Sequence, residues 1–298
     1  MKNQRYLAFS DESRYNINQY RSIAVLSLPF PEYEGLITEF SKILEESGIR
    51  ELKYGGLTSA KMRFGALKTI HLIREKALKG QLRIDVIIWN ITDSRHNVLG
   101  RDDKTNLQIM YYHLFKNIIT RRWGMGCDWH LFPDEQIMVN WDEMVDYLET
   151  RIGNLYLVED RDWNALTKER MAWKIEKIQQ IKSSECLPVQ IADLFAGIGP
   201  YSWANYQKFK EWERKKDCQT TLFPDAYKIQ LSTSDREKCE VLRHLYTTCN
   251  DSGLTLSINH KRGLWTPNPE NPINFWCYEP QSDQDKAPVK PDDRQNQG

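Results

Sequence analysis

The chain predicts an α/β fold: a mixed sheet covered by helices on both faces, followed by a small C-terminal α+β appendage and a disordered tail. Three observations carry this expectation. Two short strand-like runs open the chain with a polar, asparagine-rich connection between them, which suits an antiparallel hairpin. Helical periods then alternate with apolar runs, as crossover connections require. After about Phe223 the pattern changes to short segments interrupted by the proline-rich TPNPENP.

The opening strands are 5–11 (RYLAFSD) and 22–28 (SIAVLSL), with Pro29 and Pro31 closing the second. Helical periodicity over 32–48 stops at Gly48, and 58–80 repeats the pattern between a Ser/Thr start and a glycine stop. The run LRIDVIIWNIT (82–92) reads as a buried strand, 106–123 as a helix, DWHLFPDE (128–135) as a short strand and 140–152 as a helix. In MAWKIEKIQQIKS (171–183) the apolar positions settle on neither period, and a strand near 174–181 is the better match. A helix containing VQIADLFAGIGP (189–200) follows. Next comes YQKFKEWERKKD (206–217), a charge-laced helix that suits a solvated face, although its Trp212 could stack a base. A short helix at 235–249 and strands near 254–259 and 273–278 complete the pattern. The expected organisation is a main domain over 1–204, a charged helical linker over 205–222, the appendage over 223–280 and the tail over 281–298.

Composition narrows the function by exclusion. Lysine plus arginine (41) balances aspartate plus glutamate (41), so no global field announces a nucleic acid or a membrane, and any basic surface is local. The start has no apolar stretch of signal-peptide length, and no run of about 18 apolar residues occurs. A soluble cytoplasmic protein without a membrane partner is expected. Six cysteines without a C-x-x-C pair argue against a zinc knuckle or a disulfide framework. The histidines are isolated, and no G-x-S-x-G elbow marks a serine hydrolase. Ten tryptophans and fourteen tyrosines offer material for a thick core, base stacking or a partner interface.

The carboxylates carry the chemistry. At about 100° per residue, Leu187, Ile191, Leu194, Phe195 and Ile198 fall on one helix face, while Gln190, Asp193 and Gly197 share another. A charge on a helix whose other side is core is either exposed or aimed at something. Strand alternation puts Leu7, Phe9 and Asp11 on one side and Ala8, Ser10 and Glu12 on the other, so Asp11 and Glu12 do not form one chelating pair. Asp134 stands at the carboxyl end of its strand, where open α/β sheets bind ligands; Asp93, at the end of another strand, is its rival. RELKYGG (50–56) adds Glu51 and Lys53 before a helix. Several carboxylates at one point repel unless a cation neutralises them, and oxygen-only donors favour Mg²⁺ or Mn²⁺. Two such ions, about 3.5–4 Å apart, would activate a water and steady the departing oxygen of a phosphodiester, with Lys53 helping to neutralise the phosphate. Each residue also has a plainer use: Asp11 and Asp134 could open turns, Glu51 and Lys53 could be an exposed pair, and Gln190 could serve its own helix start.

FSDES, ELK, FPDE and QIADLFAG, in that order, resemble the motifs of the family catalogued as domain of unknown function 3800, whose fold is similar to ribonuclease H. The resemblance spans roughly residues 5–200. It implies a metal-binding acidic cluster with Asp11 on the first strand, Glu51, Asp134 on the fourth strand and Asp193 on a late helix. The implied activity is metal-dependent cleavage of DNA or RNA, in a setting of prokaryotic defence against foreign nucleic acid. Two departures stand out: Arg14 occupies the usual glycine position of the first motif, and Glu51 precedes its helix instead of lying within it. The competing expectation is a non-catalytic module of the same fold, acting through its C-terminal appendage on a protein partner or a second copy.

Overall fold

The computed structural model describes residues 4–13, 19–93, 102–123, 127–135, 139–157, 173–218 and 231–279. Strands β1 (Gln4–Ser13) and β2 (Tyr20–Pro29) form the expected antiparallel hairpin, with Asp11 opposite Ala24, and β3 (Arg83–Asn90) pairs antiparallel with β2. On the other side of β1 lies β4 (Cys127–Pro133), parallel to it, and then β5 (Trp173–Ile178), parallel to β4. A last strand, β8 (Ile273–Cys277), adds in parallel beside β3, giving the six-stranded order β5-β4-β1-β2-β3-β8. Only β2 runs against the others. The carboxyl ends of β1, β3, β4, β5 and β8 therefore share one edge, where ligands bind in sheets of this kind.

Central strands buried on both faces need near-continuous apolar runs, and β1 to β3 supply them. One face, with Leu7, Phe9, Leu26, Val86 and Ile88, packs beneath α1 (Tyr33–Ser47), α2 (Ala60–Leu78), α5 (Leu187–Ala204) and α7 (Thr233–Asn250). The other, with Tyr6, Ala8, Val25, Trp89 and Trp129, packs against α3 (Asp103–Asn117) and α4 (Trp141–Leu157). The fold is thus the mixed α/β sheet between helices that the sequence predicts.

Several boundaries move for local reasons. Helix α3 starts earlier than expected because Asp102 accepts from the Thr105 N–H (2.8 Å) as its cap, and a π turn over Ile118–Arg122 ends it. Strand β3 stops short because the Asn90 side chain accepts from the Thr92 N–H (2.9 Å) and turns the chain. The strand expected over 254–259 is reduced to β6 (Ser257–Asn259), which pairs with β7 (Gly263–Trp265); three-residue strands carry too little alternation to be read.

The expected appendage over 223–280 is not set apart. β8 belongs to the main sheet, and Val241, Leu242 and Leu245 of α7 lie in the main core. Helix α6 (Tyr206–Cys218) is not a mere charged linker either, because Phe209 and Trp212 are buried in that core. Lys216 sits 5.0 Å above the Trp212 ring, so this ring is not the base-stacking surface its sequence suggested. The tail at 281–298 and Arg14 lie outside the described residues. No helix among the described residues is long and apolar enough to cross a membrane.

Candidate functional site

Asp11 lies near the carboxyl end of β1, and the alternation expected from sequence holds: Leu7 and Phe9 belong to the core beneath α5, while Ala8 belongs to the core on the α3 side. Glu12 consequently faces the other way and accepts from the Tyr111 hydroxyl at 2.7 Å. β4 delivers Asp134 alongside Asp11. Its parallel pairing ends with Pro133 opposite Ser10, and the Asp134 N–H then donates to the Ser10 carbonyl at 2.8 Å.

The same-face triplet of α5 has a concrete purpose. Gln190 accepts from the Leu52 N–H (3.0 Å), Asp193 Oδ2 accepts from the Tyr54 N–H (2.6 Å), and the Tyr54 ring lies on Gly197. A Cβ at Gly197 would stand 2.0 Å from Tyr54 Cγ, so only glycine permits this approach. The face is therefore the dock of the segment Glu51–Gly56. Gln190, itself buried, also donates to the Ser183 carbonyl (3.0 Å), and the Ser183 N–H donates to Asp134 Oδ1 (2.9 Å). Gln190 thus holds the Glu51 loop directly and is linked to Asp134 through Ser183. Sequence reasoning left Gln190 between a local and an orienting use and did not find Ser183 or Tyr54; the helical spacing of Gln190, Asp193 and Gly197 was the signal available.

Glu51 precedes the short 3₁₀ turn Tyr54–Gly56, as its sequence position suggested, and accepts from Lys53 Nζ at 3.0 Å. Ser183 Oγ lies 3.5 Å from the same carboxylate. Asp93 sits past the end of β3, two strands from β1, and the structure does not bring it into this group.

Beyond the effect of burial, Asp193 and Asp134 raise the proton affinity of Asp11, and Asp134 raises that of Asp193. Burial pushes the Asp11 carboxyl well above the ordinary range, with Asp193, Glu12 and Asp134 adding to the effect. Asp193 is pushed up to about 6 by burial, against the pull of the Tyr54 N–H and Lys53 and with the added push of Asp134 and Glu51. Asp134 is raised by burial, while the N–H groups of Glu135 and Ser183 and the Lys53 charge lower it. Lys53 is raised first by its hydrogen bond to Glu51 and further by the charges of Glu51, Asp193 and Asp134, against burial. The five residues singled out in the sequence are brought into one electrostatic unit.

In chemical terms this is an oxygen-donor site with excess negative charge, the donor chemistry of Mg²⁺ or Mn²⁺ and not of zinc. Asp134 accepts from the Ser183 N–H through Oδ1 and Asp193 from the Tyr54 N–H through Oδ2. Among the described residues, no three histidine, cysteine, aspartate or glutamate side chains form a closed ligand set.

The fold and site define a mixed α/β protein with a buried acidic centre at the carboxyl edge of its sheet. Two uncharacterised proteins of Methanothermobacter thermautotrophicus, ORF2' and ORF2, are each 36% identical to it, over 293 and 292 residues respectively, covering 96% of this chain and 98% of each relative. The chain belongs to the family of these proteins, and the match takes in nearly all of its length. No protein-family model matches it.

Proposed function

We propose that the protein is a metal-dependent nuclease, of ribonuclease H-like and DUF3800-like architecture, that hydrolyses phosphodiester bonds of DNA or RNA. The observation that carries this reading is the placement of Asp11 on the first strand, Asp134 at the end of the fourth and Asp193 on a late helix, where burial raises all three pKa values and neighbouring carboxylates add to the rise at Asp11 and Asp193. That is the order the resemblance to the DUF3800 motifs implies. Asp11, Asp134 and Asp193 would hold Mg²⁺ or Mn²⁺, with Glu51, paired to Lys53, as a further candidate ligand. Bound there, the cation supplies activation of a water and charge neutralisation at the departing oxygen. The Ser183 and Tyr54 N–H groups keep Asp134 and Asp193 oriented, and Lys53 offers a cation to the substrate phosphate. The setting that the resemblance adds is cytoplasmic defence against foreign nucleic acid. The competing reading, a detached appendage that recruits a protein partner or a second copy, draws no support from a C-terminal segment built into the sheet.

The test is cleavage of labelled single- and double-stranded DNA and RNA with Mg²⁺, Mn²⁺ or EDTA, comparing wild type with the Asp11→Asn, Asp193→Asn double variant. Cutting that disappears in EDTA and in the variant supports the proposal. A blank panel, together with no Mg²⁺ or Mn²⁺ binding by calorimetry, overturns it.

A further inference from the structure

The far end of α5 carries a second feature that the acidic site does not use. A groove of about 390 Å³ opens between the end of α5 and the start of α6, lined by Trp203, Asn205, Tyr206, Lys208 and His260 among others. His260 is brought there by the β6–β7 hairpin. Gly263, at φ 62°, lies so close to α5 that a Cβ would stand 2.6 Å from the Trp203 nitrogen, and the Leu264 N–H donates to Ser202 Oγ at 2.8 Å. This clamp sets the His260 ring 6.3 Å from Tyr206. On the other flank Tyr20 stacks on Trp203, with centroids 4.4 Å apart and planes 21° apart. Three aromatic rings, Trp203, Tyr206 and His260, thus line the groove, with Tyr20 behind Trp203. The charge of Lys208 is met by Asp235 at 3.1 Å, and the exposed Lys261 supplies positive charge beside the groove.

We infer that this groove is a stacking platform for single-stranded nucleic acid, which guides the strand to the acidic site; the inference rests on the proposed nuclease reading for what occupies that site. Aromatic faces combined with local basic charge are the recognition chemistry of single strands, since every base has a π-face. Position supports it along two independent paths. From Ala24, opposite Asp11, β2 runs four residues to Tyr20, about 13 Å at strand rise. From Asp193 to Trp203, α5 runs ten residues, about 15 Å at helix rise. Both separations equal roughly four stacked nucleotides at about 3.4 Å each, so a strand seated on the platform has the length to reach the carboxylates. The hairpin and the late aromatic residues, which had no role in the sequence-based site, acquire one.

The experiment measures binding of a labelled oligothymidylate and an oligouridylate by fluorescence anisotropy in EDTA, where cleavage is absent. His260→Ala removes an exposed ring and Gln207→Glu places a like charge in the lining; neither side chain supports the core. Trp203→Ala is the third variant. Loss of one stacked base weakens single-strand affinity by roughly fivefold or more, and duplex affinity much less. That pattern supports the platform. Wild-type binding that all three variants retain overturns it, even when the cleavage panel succeeds and the nuclease reading stands. Binding that His260→Ala and Gln207→Glu weaken, beside a blank cleavage panel, upholds the platform and removes the catalytic reading. Failure of the wild type to bind either oligonucleotide, or equal affinity for single strand and duplex, overturns the platform.

Discussion

Asp193 has two uses at once: it holds the Tyr54 N–H and it faces the other carboxylates. Its pH behaviour follows from the second. A carboxyl whose folded pKa lies above its unfolded value binds its proton more tightly when folded, so the stabilisation is complete below about 3.8 and is lost as pH rises through about 6. Without divalent cation, the melting temperature should therefore fall between about pH 5 and pH 7.5 in scanning fluorimetry. Asp193→Asn should flatten that fall, and Mg²⁺ should oppose it; parallel profiles for wild type and variant would remove the electrostatic account. Gly197→Ala tests the docking use, because its Cβ would collide with Tyr54. Overpacking of this kind costs about 1–3 kcal/mol in urea unfolding, and cleavage should fall with it although no carboxylate is lost. Gln190→Leu leaves the Leu52 N–H and the Ser183 carbonyl unpaired, at about 1–3 kcal/mol each.

At the level of elements, the decisive join is between β3 and β8. Asp85 on β3 is buried and accepts from Asn274 of β8 at 3.0 Å, while Arg83 Nε lies 3.4 Å and Arg122 Nε 3.7 Å from it. Arg83 also donates to the carbonyls of Glu270 and Asn271, at 3.1 and 2.9 Å. Removing one member strands the others, so Asp85→Ala should cost about 3–5 kcal/mol by chemical denaturation. Deleting residues 273–279 should unfold the protein or make it aggregate, since it uncovers the β3 edge and the core beneath Phe275. A dispensable appendage would instead leave a soluble, cooperatively melting chain.

For the whole molecule, balanced charge means that attraction for a nucleic acid is local, not a property of the overall field. Lys53 beside the carboxylates and Lys208, Lys261 and Arg262 by the groove are the cations that the path from carboxylates to platform uses, and three of them already pair, with Glu51, Asp235 and Glu279. With at most four phosphates neutralised, the slope of log K against log salt should be no steeper than about −3 for a single strand. A much steeper slope would place the binding surface elsewhere.

Periodicity was enough for the long helices and the first four strands, because a long segment must show its buried face in its spacing, whereas the run 171–183 settles on neither period. Alternation likewise separated Asp11 from Glu12, and helical spacing put Gln190, Asp193 and Gly197 together before any contact was known. Partners were another matter. Which loop fills the Gln190–Asp193–Gly197 face, that Gln190 links the Glu51 and Asp134 loops, and that Trp212 is buried while Trp203 borders a groove all depend on contacts between residues more than a hundred positions apart or on which elements pack together. The C-terminal segment shows the limit most clearly: short strands have too few alternations to declare a face, and only the exposed edge of β3 decides that β8 belongs to the main sheet.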